Sequence, residues 1–333
     1  MTAMNTEAFC LPWQESLLQR ALDLKAQQRL PHALIIESSS DQAIDKFIHG
    51  FIRLLLCQNP VELSPCGECD ACRLLQAGTY ADFSFVTLET NEKTNKINKN
   101  IKIEQIRNLI HEVTLTKNYD SLKVAVIYPA EAMSLNGANA LLKTLEEPAA
   151  GVFILLVTHN LGRIPITLRS RSQIWSMKSA EHAEATRWLE QQGLEQHEIT
   201  DYLAYANGDP LLAVHLKENN YSQLVDNFKS AFGQFMRNQI SVSGLCKELR
   251  NVEVSLIRRL IDRLLKAYCY QMCGTDSEAN PTSRQNLAAA QVLFELQRDA
   301  QRQLSVEENN LDLQIQLEDV LISLKQILTR RPA

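Results

Sequence analysis

The 333-residue chain carries 34 Lys+Arg against 39 Asp+Glu, a formal net charge of −5, and 45% of its residues are apolar. That length predicts two or three domains, and that apolar content excludes a chain too polar to build a core. The acidic balance argues against a protein that grips duplex DNA with its whole face, because such a face is basic. Met1 to Cys10 shows neither a basic stretch nor an apolar one, so no signal peptide is expected. No apolar run is long enough for a bilayer, and a soluble cytoplasmic chain is the expectation.

Taken in chain order, Ala33–Ile36 reads as a short buried strand, and Ile44–Leu56 as a helix with Ile44, Phe47, Ile48, Phe51 and Leu55 at helical spacing. Four cysteines follow, and then a strand at Phe83–Leu88. Asn91–Lys102 is polar and rich in Asn and Lys. It reads as a solvated loop, with DNA contact through Lys93, Lys96, Lys99 and Lys102 the minor alternative. Ile103–Val113 is an amphipathic helix, Val124–Tyr128 a strand, and Asn139–Glu147 a helix with Leu141, Leu142 and Leu145 as its core stripe. On the wet face of that helix Lys143 and Glu147 are placed to pair, and Pro148 ends it. Glu131, just before it, reads as a surface residue. Strands at Val152–Thr158 and Gln173–Trp175 complete an alternation that predicts a parallel sheet covered on both faces. Beyond about Lys178 only helical patterns remain: Ala180–Gln192, His197–Ala206, Tyr221–Met236, Val254–Met272, Arg284–Leu304 and Leu311–Leu328. The expected division is an α/β domain over 1–178, a small helical domain over 179–220 and an all-helical domain over 221–333.

Several chemistries are excluded outright. None of the 11 glycines lies within ten positions of another, so no G-x-x-x-x-G-K-[ST], G-x-G-x-x-G or G-x-S-x-G can be written. Without those glycines the backbone N–H groups cannot close on phosphates. The seven histidines form no H-E-x-x-H pair, and none is expected to be catalytic. Cys57, Cys66, Cys69 and Cys72 stand at C-x8-C-x2-C-x2-C, a spacing at which four thiolates enclose a tetrahedral structural Zn²⁺. A [4Fe–4S] cluster is the second metal reading, disfavoured because no further Cys-Pro follows, and four unligated thiols are the third. Cys10, Cys246, Cys269 and Cys273 read as apolar fillers.

The unbroken stretch Asn139–Pro148, the apolar run Val152–Thr158 and the turn Ser170-Arg171-Ser172 together resemble the clamp-loader branch of the AAA+ ATPases. Leu11-Pro12-Trp13, His32-Ala33 and the four-cysteine pattern are similar as well, and beyond Tyr221 only Asn310-Leu311 and the Leu317–Leu324 segment carry likeness. The resemblance implies an AAA+ (RecA-like) sheet domain with a zinc module, a helical lid and a C-terminal helical collar. It places the family's phosphate-binding lysine near Ile44 and its Ser/Thr near Asp45. Its Asp-Glu pair falls on Tyr128 and Pro129, and its sensor arginine on Leu211. None of these five residues can perform the family's task, so ATP binding and hydrolysis by this chain are not expected. By the same resemblance Arg171, in the place of the arginine of the Ser-Arg-Cys motif, is the candidate trans arginine finger, with Ser172 where the motif has Cys and Arg169 as the weaker candidate. On pattern alone Arg171 reads as a surface or salt-bridging arginine. The implied setting is a hetero-pentameric clamp loader of DNA polymerase III. There the chain packs against delta and tau/gamma ATPase subunits and helps place the sliding clamp on primer-template DNA. The competing expectations are an active ATP-hydrolysing motor and a zinc-bearing DNA-binding module.

Overall fold

The computed structural model describes residues 10–38, 41–91, 96–115, 118–119, 122–247, 249, 252–273, 295, 298 and 313–329. The chain divides into two compact units, Met1–His215 and Leu216–Ala333.

In the first unit, helix α1 (Glu15–Ala26) precedes strand β1 (Ala33–Glu37), helix α2 (Asp41–Leu56), helix α3 (Asp70–Ala77) and strand β2 (Phe83–Val86). Two short strands, β3 (Thr90–Asn91) and β4 (Lys96–Ile97), form an antiparallel pair. Helix α4 (Ile103–Thr114), strand β5 (Lys123–Ile127), helix α5 (Leu135–Glu146), strand β6 (Val152–Thr158), helix α6 (Ile166–Arg169) and strand β7 (Gln173–Ser176) follow. The five longer strands make one sheet in the order β2-β5-β6-β1-β7, and every pairing in it is parallel. Parallel neighbours need crossovers, and α2, α4, α5 and α6 supply them.

The sheet's side chains alternate between two cores, as a period of two requires. Leu34, Ile36, Val124, Val126, Phe153, Leu155 and Val157 share one apolar cluster with Phe47, Ile48 and Phe51 of α2. Ile35, Ala125, Ile127, Ile154 and Leu156 share the other with Ile106 and Leu109 of α4, Leu141 and Leu145 of α5, and Leu168 of α6. Burial on both faces explains why β5 and β6 are continuous apolar runs rather than alternating ones.

Helix α5 starts four residues before Asn139, because Ser134 accepts the Gly137 N–H at 3.1 Å and caps it. It stops at Glu146, one residue short of the expected end, and Glu147 leaves helical geometry at φ −127° ahead of Pro148. The Glu147 N–H still donates to the Lys143 carbonyl at 3.0 Å, the last i→i−4 bond of the helix. The expected open loop at 91–102 is likewise corrected. Among its described residues it contains part of the β3–β4 pair, and Ile101 is fully buried and bridged to Met133. Lys102 Nζ reaches Glu89 at 3.1 Å, and Lys93 lies outside the described residues. Local polarity concealed a single apolar anchor.

Helices α7 (His182–Gln191) and α8 (Gln196–Tyr205) also belong to the first unit. Trp188 of α7 meets Trp13 edge-on with ring centroids 5.8 Å apart. Helix α9 (Pro210–Glu218) is opened by Asp209, whose Oδ1 accepts the N–H groups of Leu211 and Leu212.

The second unit is helical among its described residues: α10 (Tyr221–Met236), α11 (Val242–Lys247), α12 (Val254–Cys273) and α13 (Leu313–Thr329). Phe228, Phe232 and Phe235 of α10 are buried, and Phe232 lies 6.4 Å from the Tyr268 ring. Lys325 of α13 donates to the Phe235 carbonyl at 2.6 Å, so the two helices are tied by a charge-assisted bond as well as by packing. The expected segment Arg284–Leu304 lies outside the described residues except for positions 295 and 298, both helical.

Candidate functional site

Ligands of parallel α/β sheets bind beyond the carboxyl ends of the strands. Here that region is crossed by side chains. Only three residues separate the end of β1 at Glu37 from the start of α2 at Asp41, which leaves little chain for a phosphate-wrapping loop. Ile44, in the second turn's reach of α2, is fully buried within the apolar cluster under the sheet. Asp45 follows it on the same helix. Leu211, on α9, is 7% exposed and belongs to the same cluster. Burial is the reason both are apolar: a lysine or arginine in such a cluster would need a partner or lose its charge.

At the end of β5 the Tyr128 hydroxyl is 2.9 Å from His159 Nε2. His159 Nδ1 lies 3.2 Å from the Ser38 carbonyl, which only accepts, so in the neutral ring Nε2 accepts the Tyr128 O–H. Glu131 Oε1 accepts the His159 backbone N–H at 3.1 Å, and Glu131 Oε2 is enclosed without a hydrogen-bond partner. Glu131 is thus part of this network rather than the surface residue expected. Glu37 Oε1 accepts the Leu161 N–H at 3.0 Å. The ends of β1, β5 and β6 are thus tied to one another by side chains. Pro129, joined to Tyr128 by a cis peptide, offers no carboxylate for magnesium.

The four expected cysteines converge. Their sulfurs lie within 4.8 Å of one another, with Cys57 Sγ 3.5 Å from Cys66 and 4.0 Å from Cys69. Zn–S bonds of about 2.3 Å at tetrahedral angles place sulfurs about 3.8 Å apart, so the set fits one such ion. Cys57 follows α2, and Cys69 caps α3 with its sulfur accepting the Cys72 N–H. Gly67, at φ +75°, gives the turn between Cys66 and Cys69 a conformation open to glycine. Backbone N–H groups of Cys66 and Cys69 also point at sulfur, at 3.3 and 3.4 Å, and such bonds stabilise thiolates. Burial raises the Cys57 thiol, and it pushes Cys72 up to about 12 with help from Cys69 and Cys57. Burial also acts upward on Cys69, but N–H groups of Gln58 and Cys72 and two neighbouring thiols outweigh it and bring Cys69 down to about 6. Cys66 is lowered, chiefly by the N–H groups of Glu68 and Cys69. The set is therefore split between ready and reluctant thiolates, and a cation at its centre would favour all four. Lys25, which sequence reading passed over, donates to the Leu55 carbonyl at the end of α2 beside these thiols. Burial lowers its ammonium, against the opposing pull of Cys57. Among the other cysteines, Cys246 is buried and raised to about 11 by that burial, in keeping with a filler. The side chains of Cys269 and Cys273 lie outside the described residues.

Arg171 sits after the short helix α6. Its Nε donates to Glu146 Oε1 at 2.8 Å, its Nη2 pairs with the same oxygen, and its Nη1 donates to the Thr167 carbonyl at 3.0 Å. The residue-pattern reading of Arg171 as a salt-bridging arginine is thus met in the free chain. Sequence reading missed Glu146, which lies 25 positions away, and no local signal could have joined the two. Arg169 is half-buried, with Nε enclosed and without a hydrogen-bond partner. Ser172 Oγ is also enclosed and unpartnered. His32 Nε2 donates to the Leu145 carbonyl at 2.9 Å and so closes the end of α5 just before Glu146.

The four converging cysteines, the Tyr128–His159 pair and Arg171 all lie within residues 13–181. Residues 13–181 match the family model described as DNA polymerase III, delta subunit. DNA polymerase III subunit delta' of Pseudomonas aeruginosa is 31% identical over 252 residues, which is 74% of this chain and 73% of that protein. The delta' subunit of Escherichia coli K12 is 29% identical over 206 residues, 62% of this chain and 60% of that protein. The tau/gamma subunit of Haemophilus influenzae is 27% identical over 176 residues, 53% of this chain but only 24% of that protein. With half of its length matched to the family and a relative of this identity over three quarters of it, the chain belongs to the delta' family of DNA polymerase III subunits.

Proposed function

We propose that the chain is a non-hydrolysing subunit of the DNA polymerase III clamp loader, a rigid partner that lends Arg171 to the ATP site of a neighbouring subunit. The observation that carries this reading is the fully buried Ile44 at the position of the family's phosphate-binding lysine. An apolar side chain there cannot neutralise a triphosphate, and moving it aside would open the core. The buried Leu211 and the Tyr128–His159 bond support the same conclusion at two further places. Arg171 lies on a turn after α6 with its side chain 34% exposed, within reach of a molecule docked on that face. Kinship to both delta' and tau/gamma proteins supports tau/gamma and delta subunits as neighbours in a hetero-pentamer that places the sliding clamp on primed DNA. The four thiolates hold one Zn²⁺ as a closed structural site, with no position left for Lewis-acid chemistry. Residues 179–220 serve as a lid and 221–333 as a collar.

The test is Arg171→Ala in the reconstituted complex with clamp and primed DNA. ATP turnover is expected to fall about tenfold or more while the complex still assembles, since an arginine finger acts on transition-state charge. Unchanged turnover refutes the finger.

A further inference from the structure

We propose that Glu146 is the positioning residue of Arg171: it fixes the guanidinium so that the unused donors stay presented to a phosphate on a neighbouring subunit. The inference rests on the finger reading above. A guanidinium has five N–H donors in a planar fork. Glu146 Oε1 takes the edge formed by Nε and Nη2, and the Thr167 carbonyl takes one donor of Nη1. The second N–H of Nη2 is left, and Nη1 also donates to Ser170 Oγ over a long 3.4 Å, a weak bond that a phosphate oxygen would replace. Two oxygens of one phosphoryl group match such a pair of donors.

The holding groups come from two elements. Glu146 is the last residue of α5, and Thr167 lies within α6. The Arg171 backbone N–H is itself bonded to the Leu168 carbonyl at 3.1 Å. The plane of the fork is therefore set relative to both helices, and the freedom of a long side chain is lost on folding instead of when phosphate arrives. An exposed pair of this kind adds little to stability; side-chain exposures here are 34% for Arg171 and 49% for Glu146. Its consequence is geometric. Glu146 touches no reacting atom and acts only through Arg171.

The experiment measures steady-state ATP turnover by the assembled complex, with clamp and primed DNA, for wild type, Glu146→Ala, Glu146→Gln, Arg171→Ala and the double variant. Glu146→Ala is expected to lower kcat about tenfold with KM for ATP within about twofold, because a misplaced finger loses only transition-state contacts. Glu146→Gln is expected to restore most of kcat, since an amide oxygen still accepts both N–H groups. The double variant should be no slower than Arg171→Ala alone, as two residues on one path require. If Glu146→Ala disturbs the helix end, Glu146→Leu keeps length and helix preference and must show the same loss. Wild-type or raised kcat in Glu146→Ala and Glu146→Leu, with Arg171→Ala slow, overturns the positioning role and leaves the finger. Wild-type kcat in Arg171→Ala removes the finger reading itself.

Discussion

Under the proposed function, Ile44, Tyr128 and Leu211 are three places where side chains stand against nucleotide binding. Ile44 and Leu211 are absorbed into the core, so restoring a charge at either would set an unpaired ion among apolar groups. Tyr128 has acquired its own partner in His159. The expected outcome is that the purified chain, with magnesium, shows no ATP binding by calorimetry. Micromolar binding, about −8 kcal/mol, would contradict the reading. Ser172 carries a cost of another kind. Its enclosed hydroxyl lacks a partner, a penalty of about 1–3 kcal/mol that the Cys of the motif would avoid, because a thiol is a weak donor. Arg171 is the residue whose role changes most between levels of description. Alone it is a salt-bridging side chain; under the proposed function the same positive charge acts on a neighbouring nucleotide.

At the scale of elements, the loop from Cys57 to α3 has a small apolar content and brings four sulfurs within 4.8 Å of one another. Thiol–thiol hydrogen bonds are weak, and under the zinc reading a tetrahedral ion would turn the convergence of the four sulfurs into a bond network. Metal analysis of the purified chain should find about one zinc per molecule. Replacing Cys69 by Ser should lower that content to near zero and expose the 58–69 segment to limited proteolysis. Iron, or no metal in the intact chain, would overturn the assignment. Helix α5 holds the other element-scale lesson. It carries the core stripe that periodicity predicts, with Leu141 and Leu145 buried, yet its last residue faces the α6 turn and sets the arginine.

For the molecule as a whole, two compact units share one chain. No described helix is long and apolar enough to cross a membrane. The second unit buries an aromatic row on α10 against α12 and carries Ile315 and Ile322 on α13 at 57% and 40% exposure. Under the collar reading, truncation near Tyr221 should abolish incorporation into the complex, observed by gel filtration with the partner subunits. A truncated chain that is incorporated normally would refute the collar.

Much of this was legible without coordinates. Strand β6 has the bounds its apolar run predicts, and α10 runs from Tyr221 to Met236 as its pattern requires. Covalent spacing brought the three close cysteines to notice because ligands on one loop are near each other in any fold. The missing glycines excluded a phosphate loop for an equally local reason: a backbone without Cβ atoms cannot be substituted from elsewhere. What sequence could not decide were the contacts between elements distant in the chain. The Arg171–Glu146 pair spans 25 positions, His159 to Ser38 spans 121, and His32 to Leu145 spans 113. Such pairs have no periodicity and no spacing rule. They exist because a parallel sheet stacks distant strand ends side by side, and only that stacking settles which polar group meets which.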